Sequence, residues 1–137
     1  MGVAHERPLT GEEIARLNAA RAGLEARLGI RYTYLSATET RAELTLSEHT
    51  QQPFGVTHGG VYAALAESVG SIASVVSAGQ PMVGVNNDTD FLRSTESGVL
   101  EARALPLHAG RRTQLWEVTI SNEGRVVAVS RLRTMRA

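Results

Sequence analysis

Between Gly59 and Val76 the chain reads Gly-Gly-Val-Tyr-Ala-Ala-Leu-Ala-Glu-Ser-Val-Gly-Ser-Ile-Ala-Ser-Val-Val, apolar or small almost throughout, with Glu67 its one charged residue. As a helix, about 18 residues span roughly 27 Å. A helix without a charged face has to be covered on most sides. In a chain of 137 residues it is therefore expected at the centre, with everything else wrapped around it.

The flanking sequence supplies the wrapping. Thr10-Gly11-Glu12-Glu13 matches a capping box, and Ile14 and Leu17 follow at helical spacing, so an N-terminal helix is expected over about 11–22. Residues 24–28 allow one more turn before Gly29. From Ile30 the period changes to two. Tyr32, Tyr34 and Ser36 alternate with Arg31, Thr33 and Leu35; Ala42, Leu44 and Leu46 alternate with Glu43, Thr45 and Ser47. These read as two half-buried strands. Residues 48–58, with Pro53 and Gly55, read as loop. Four further strands are expected over 82–90, 98–107, 111–121 and 126–135, with Asn122-Glu123-Gly124 as a hairpin turn. One helix and about six strands make an α+β arrangement, a curved antiparallel sheet around the helix. The whole chain, 1–137, reads as one domain.

Lys plus Arg and Asp plus Glu each total 14. That balance offers no attraction to nucleic acid or to an anionic membrane. No cysteine is present, which excludes disulfides, thiolate metal sites and a cysteine nucleophile. His5 and His49 have no partners at metal-ligand spacing, so no metal is expected. The N-terminus lacks the apolar core of a signal peptide, Glu6 stands where a myristoylation motif has Ser or Thr, and no stretch is read as a membrane span. A cytoplasmic protein is expected.

Glu67 is the anomaly, because a carboxylate on a buried helix is rarely there unless paired or functional. Ser71, at i+4, shares its face. Just after His58 the helix opens with Gly59-Gly60, where backbone N–H groups lack internal partners and a ligand can approach closely. Such a terminus suits a developing oxyanion. Acyl transfer would use both features, a carboxylate to attack or to activate water and an amide to hold the carbonyl oxygen. Yet Gly59 and Glu67 stand about 12 Å apart along one helix, too far to act on one carbonyl. Two antiparallel copies of the helix would bring them together across a dimer.

Gln52-x5-His58-Gly59-Gly60-x6-Glu67-x3-Ser71 resembles the signature of hotdog-fold thioesterases of the phenylacetate-degradation type. That group includes one type of 4-hydroxybenzoyl-CoA thioesterase and the 1,4-dihydroxy-2-naphthoyl-CoA hydrolases. The similarity continues through Pro106-Leu107-His108-Ala109-Gly110-Arg111-Arg112-Thr113-Gln114-Leu115-Trp116-Glu117 and covers about 28–137. The resemblance implies the hotdog fold and hydrolysis of an aromatic acyl-CoA without a cofactor. It implies Glu67 as nucleophile or general base, the Gly59 N–H polarising the thioester carbonyl with Gln52 and His58 in support, and Ser71 placing the water or the carboxylate. His108, Arg111 and Arg112 would meet the CoA phosphates. Asp90-Phe91-Leu92-Arg93 departs from the family pattern of His or Arg after the third strand, and Arg93 would serve in its place. Homodimers sharing the site, paired into tetramers, are implied as well.

Each residue also has a plainer reading. Glu67 could pair with a strand arginine, His58 could be an ordinary cap, and Gln52 a loop amide with Gln51 as its neighbouring rival. Ser71 could simply pack, Arg111 and Arg112 could be a solvated strand start, and Trp116 is core or interface. Phe54 and Tyr62 are expected to shape the acyl pocket together with Val61 and Ser74. A non-catalytic acyl-CoA binder on the same fold is the alternative function. A hydratase would need an Asp and His pair that is not found, and a serine hydrolase would need Gly-x-Ser-x-Gly.

Overall fold

Nothing inside the apolar segment stops a helix, and both of its ends carry their own signals. In this computed structural model, which describes residues 2–137, the segment forms a helix over Gly59–Ala78, capped by His58 and ended by Gly79 in the left-handed region at φ 65°. Three shorter helices precede it in sequence, α1 (Gly2–Glu6), α2 (Gly11–Ala20) and α3 (Gly23–Leu28), followed by β1 (Arg31–Leu35) and β2 (Thr40–Thr45). The long helix is α4, and β3 (Met82–Phe91), β4 (Val99–Ala109), β5 (Thr113–Asn122) and β6 (Arg125–Arg136) complete the chain.

The strands form one six-stranded sheet in the order β1-β2-β4-β5-β6-β3, antiparallel at every pairing. Its concave face holds α4. The inward face of β5 is Gln114, Trp116, Val118 and Ile120, and Leu65, Ala66, Val69 and Ala73 of α4 are fully enclosed with them. This is the hotdog arrangement. By length and composition α4 could cross a membrane, contrary to the sequence reading, because the helix continues to Ala78. The sheet that covers it accounts for its apolar length.

Other local differences have identifiable causes. The alternation expected in β1 breaks at a bulge between Tyr32 and Tyr34. Leu35 therefore turns inward, and Tyr34 turns out to lie 5.0 Å under the Arg41 guanidinium. A bulge costs one residue of register and flips everything beyond it. Helix α2 ends at Ala20, two residues before the expected limit, since Arg21 is already extended at ψ 147°. The capping box is formed: Thr10 Oγ1 accepts from the Glu13 N–H at 3.2 Å, and Glu13 Oε1 accepts from the Thr10 N–H at 2.9 Å. Helix α1, which the periodicity does not announce, tucks Ala4 into a small cluster with Leu35 and Val76.

Candidate active site

The start of α4 is held by two backbone anchors. The Thr57 N–H donates to the Thr95 carbonyl at 2.8 Å, and the His58 N–H donates to the Thr50 carbonyl at 2.9 Å. Below them Thr57, Tyr62 and Thr95 form a buried hydroxyl chain, Tyr62 Oη to Thr95 Oγ1 at 2.7 Å and Thr95 Oγ1 to Thr57 Oγ1 at 2.7 Å. The loop after β3 is thereby locked to the helix start.

His58 Nδ1 accepts from the Gly60 N–H at 2.8 Å. An accepting Nδ1 places the proton of the neutral ring on Nε2. The Gly60 amide is thus used, whereas the Gly59 N–H finds no acceptor among the described residues. Gly59 also lies against Phe91: a Cβ built on it would stand 2.4 Å from the ring. Only glycine fits here without displacing that ring, which leans on Tyr62 with centroids 5.8 Å apart.

Gln52, Thr57, Gly59, Tyr62, Phe91, Leu92, Arg93 and Ser94 line a hollow of about 310 Å³ at this end. The Gln52 side-chain carbonyl accepts from the Phe54 N–H, and its NH₂ group has no acceptor among the described residues. The loop leaves Phe54 at its tip, 92% exposed. The Tyr62 side chain is core, and its hydroxyl also lies 3.2 Å from the Arg93 carbonyl.

Glu67 sits elsewhere. It is exposed in the single chain, so the expected dry surroundings are not provided by this chain's own sheet. The reason is geometric: the sheet covers one side of α4, and Glu67 belongs to the other. It makes no ion pair with a strand arginine among the described residues. Ser71 follows on the same side, half-buried. His108, Arg111 and Arg112 are exposed at the turn between β4 and β5. The Arg111 carbonyl accepts from Gln80 Nε2 at 2.9 Å, which puts this turn beside the C-terminal end of α4. The one chain therefore gathers Gln52, His58, Gly59 and Arg93 at one end of the helix, Glu67 and Ser71 at its middle, and His108, Arg111 and Arg112 at the far end.

Among the described residues no group of three His, Cys, Asp or Glu is placed to hold a metal ion. Sequence reasoning passed over two features. Phe91 covers the helix start, and only the requirement for glycine at position 59 hinted at a close neighbour. The second is a cleft of about 370 Å³ between α2, α3 and α4 that contains Glu25 and Tyr32. Neither residue belongs to a motif.

A six-stranded antiparallel sheet curled around one long central helix is the architecture of the hotdog-fold thioesterases. Residues 54–129 match the family described as the thioesterase superfamily, and the chain belongs to it. The proofreading thioesterase EntH of Klebsiella pneumoniae is 40% identical over 136 residues, spanning 96% of this chain and 97% of that one. Among solved structures, thioesterase HI1161 from Haemophilus influenzae superposes with a TM-score of 0.85 at 33% identity, covering 96% of this chain and 93% of its own. A mutant of thioesterase PA1618 from Pseudomonas aeruginosa gives 0.84 at 31% identity, covering 92% and 94%. The chain is a hydrolytic thioesterase.

Proposed function

We propose that this thioesterase hydrolyses an aromatic acyl-CoA in a homodimer whose two sites are each shared between subunits. The observation that carries this reading is the separation of its two reactive features. Glu67 is unpaired on the uncovered side of α4, and the free Gly59 N–H lies about 12 Å away along the same helix. Antiparallel pairing of two α4 helices would set each Glu67 opposite the partner's helix start. It would also bring the far-end turn of one chain, with His108, Arg111 and Arg112, toward the hollow of the other that holds Arg93. Those cations suit the phosphates of CoA. Strand β3 supports the pairing, because it is a sheet edge with Val83 and Val85 each 48% exposed. Two such dimers would make the tetramer, and a cytoplasmic location belongs to the same reading.

In this arrangement the thioester carbonyl oxygen accepts from the Gly59 N–H, supported by the Gln52 NH₂ group. His58 holds the neighbouring amide and so fixes the direction of the helix start. Glu67 either attacks the carbonyl carbon or takes a proton from water that attacks it, with Ser71 orienting the attacking group. The carbon–sulfur bond breaks and CoA leaves as the thiolate, which takes up a proton. On the covalent route water then opens the Glu67 anhydride. No cofactor enters.

Release of CoA thiol from a panel of benzoyl, phenylacetyl, naphthoyl and fatty acyl thioesters tests the reading. Glu67→Ala is expected to lose about three orders of magnitude or more in kcat. Turnover close to that of the wild type would remove Glu67 from the chemistry, and a preference for long aliphatic chains would remove the aromatic assignment. Single turnover in ¹⁸O-water separates the routes, since only the covalent one leaves label in Glu67.

A further inference from the structure

Where α4 meets β3 and β6, its contacts are made largely by small residues. A Cβ built on Gly59 would strike Phe91, one on Gly70 would strike Leu132, and one on Gly84 of β3 would come to 4.0 Å from Ser71 Oγ. Small residues bring the helix close to the sheet and leave few side chains to interlock. Apolar contact is non-directional, whereas a hydrogen bond weakens steeply with misalignment. The rotation of α4 about its axis, and with it the direction of the Glu67 side chain, therefore depends on polar links.

One such link lies a single turn before Glu67. Asn87 of β3 donates from Nδ2 to the Ala63 carbonyl at 2.9 Å. In the helical ladder that carbonyl is also the acceptor for the N–H four residues on, which is that of Glu67. A carbonyl oxygen only accepts, so the NH₂ group of Asn87 has to face Ala63. The Asn87 carbonyl oxygen is turned to two hydroxyls able to donate to it, Thr89 Oγ1 at 2.5 Å and Ser130 Oγ at 3.1 Å, which stand 2.8 Å from each other. Ser130 is fully buried. The Asn87 amide is thus held at both ends. Tyr62 to Thr95 at 2.7 Å and Ser74 to Thr134 at 2.6 Å tie α4 nearer its two ends. Tyr32 Oη, which approaches the Ser68 carbonyl only to 3.4 Å, gives its proton to Glu25.

We infer that Asn87 is a positioning residue for Glu67. By holding the Ala63 carbonyl it fixes the rotation of the helical turn from which the carboxylate projects, and Thr89 and Ser130 fix Asn87 in turn. This rests on the proposed reading in which Glu67 carries the chemistry. A carboxylate displaced by an ångström leaves substrate binding as it was but moves the reacting atom out of attack geometry. Such a misplacement costs up to about a hundredfold in rate.

Steady-state kinetics on the fastest ester of the thioester panel, beside thermal melting, tests the inference. Asn87→Leu keeps the size and removes the donor without adding a charge. Ser74→Ala removes a helix-to-sheet hydrogen bond further along α4 and serves as the comparison. Asn87→Leu is expected to lower kcat about ten- to a hundredfold while KM stays within about twofold. Ser74→Ala is expected to lower the melting temperature and leave kcat within about twofold of the wild type. Thr89→Val keeps Asn87 but loosens its carbonyl end. It should give a smaller loss in the same parameter, and it serves if Asn87→Leu does not fold. In a Glu67→Ala background the Asn87 substitution should cost less than about twofold more, since it acts only through the missing carboxylate. Wild-type kcat in both β3 variants, a change in KM alone, an equal kcat loss in Ser74→Ala, or losses that add in full in the double variant would overturn the inference. Unslowed turnover in Glu67→Ala would overturn the proposed mechanism and this inference with it, whereas a normal Asn87→Leu beside a slow Glu67→Ala overturns this inference alone.

Discussion

The Phe91 ring and the Gly59 backbone occupy adjoining space so closely that a single added methyl group on Gly59 would reach 2.4 Å from the ring. Phe91 is 57% exposed, so it can swing outward rather than strain the fold. For Gly59→Ala we expect a melting temperature within a few degrees of the wild type. The rate should nevertheless fall by about ten- to a hundredfold, since the methyl group and the displaced ring crowd the amide that would hold the oxyanion, and complete loss of such a donor costs 10²–10³. Steady-state kinetics beside thermal melting checks this. A rate loss confined to KM would point to a blocked entrance rather than a weakened oxyanion site.

Glu13 gives a stability prediction with a defined pH window. Its carboxyl is lowered to about 2, first by the hydrogen bond from Arg7 and then by the Thr10 N–H. Because the folded pKa is depressed, the contribution is present in full above the ordinary carboxylate range near 4.5 and is lost as the pH falls through about 2. Glu13→Gln should therefore be less stable than the wild type at pH 7, with the gap narrowing steadily below pH 5. The pair lies at the surface, with Arg7 exposed and Glu13 half-buried, so the gap will be small and will shrink in high salt. Urea unfolding at several pH values measures it. A gap independent of pH would assign the effect to helix propensity.

Much of the fold is legible in the sequence because the apolar pattern is local information. The apolar run after His58 dictates a central helix, and the alternation from Gln114 to Ile120 dictates which face of β5 meets it. The bulge in β1 is not legible, since Tyr34 and Leu35 are equally apolar and only pairing with β2 decides which turns inward. At the candidate site, His58, Gly59 and Glu67 stand out because glycine at a helix start and one charge in an apolar helix break a pattern. Glu25 does not stand out. It is the one acidic residue of a short surface helix, and its surroundings are made by Tyr32 on the next strand and by Ser68, which is remote in sequence.

Gly70 breaks the helix pattern for a packing reason. Alanine in a helix interior is favoured over glycine by about 1 kcal/mol. Here, however, a Cβ would meet Leu132 Cδ2 at 2.7 Å and Leu132 Cβ at 3.2 Å. Leu132 is fully buried, so its terminal methyl can turn only into occupied space, and overpacking typically costs about 1–3 kcal/mol. The two effects oppose, and the second is larger. Gly70→Ala should destabilise by about 1 kcal/mol, measured by urea unfolding. Stabilisation would mean that the space beneath α4 yields more readily than a packed core does.

A site shared between subunits, as proposed, would make activity depend on the β3 edge. An unprotected strand edge with exposed apolar side chains pairs readily with a second copy, and a lysine on the edge is how natural sheets prevent it. Val85 is about half exposed and falls within the bulge between Gly84 and Asn86, so it takes no place in the ladder with β6. Replacing it should leave the pairing of β3 with β6 intact. Val85→Lys is therefore expected to keep the folded sheet while lowering the molecular mass seen by light scattering from the dimer or tetramer toward 14.7 kDa. Turnover should fall in step with dissociation and recover as protein concentration rises, because Glu67 needs the helix start of another chain. A folded monomer with undiminished turnover at every concentration would place the whole reaction within one subunit, where the 12 Å or so between Gly59 and Glu67 along α4 leaves the carbonyl out of reach of one or the other.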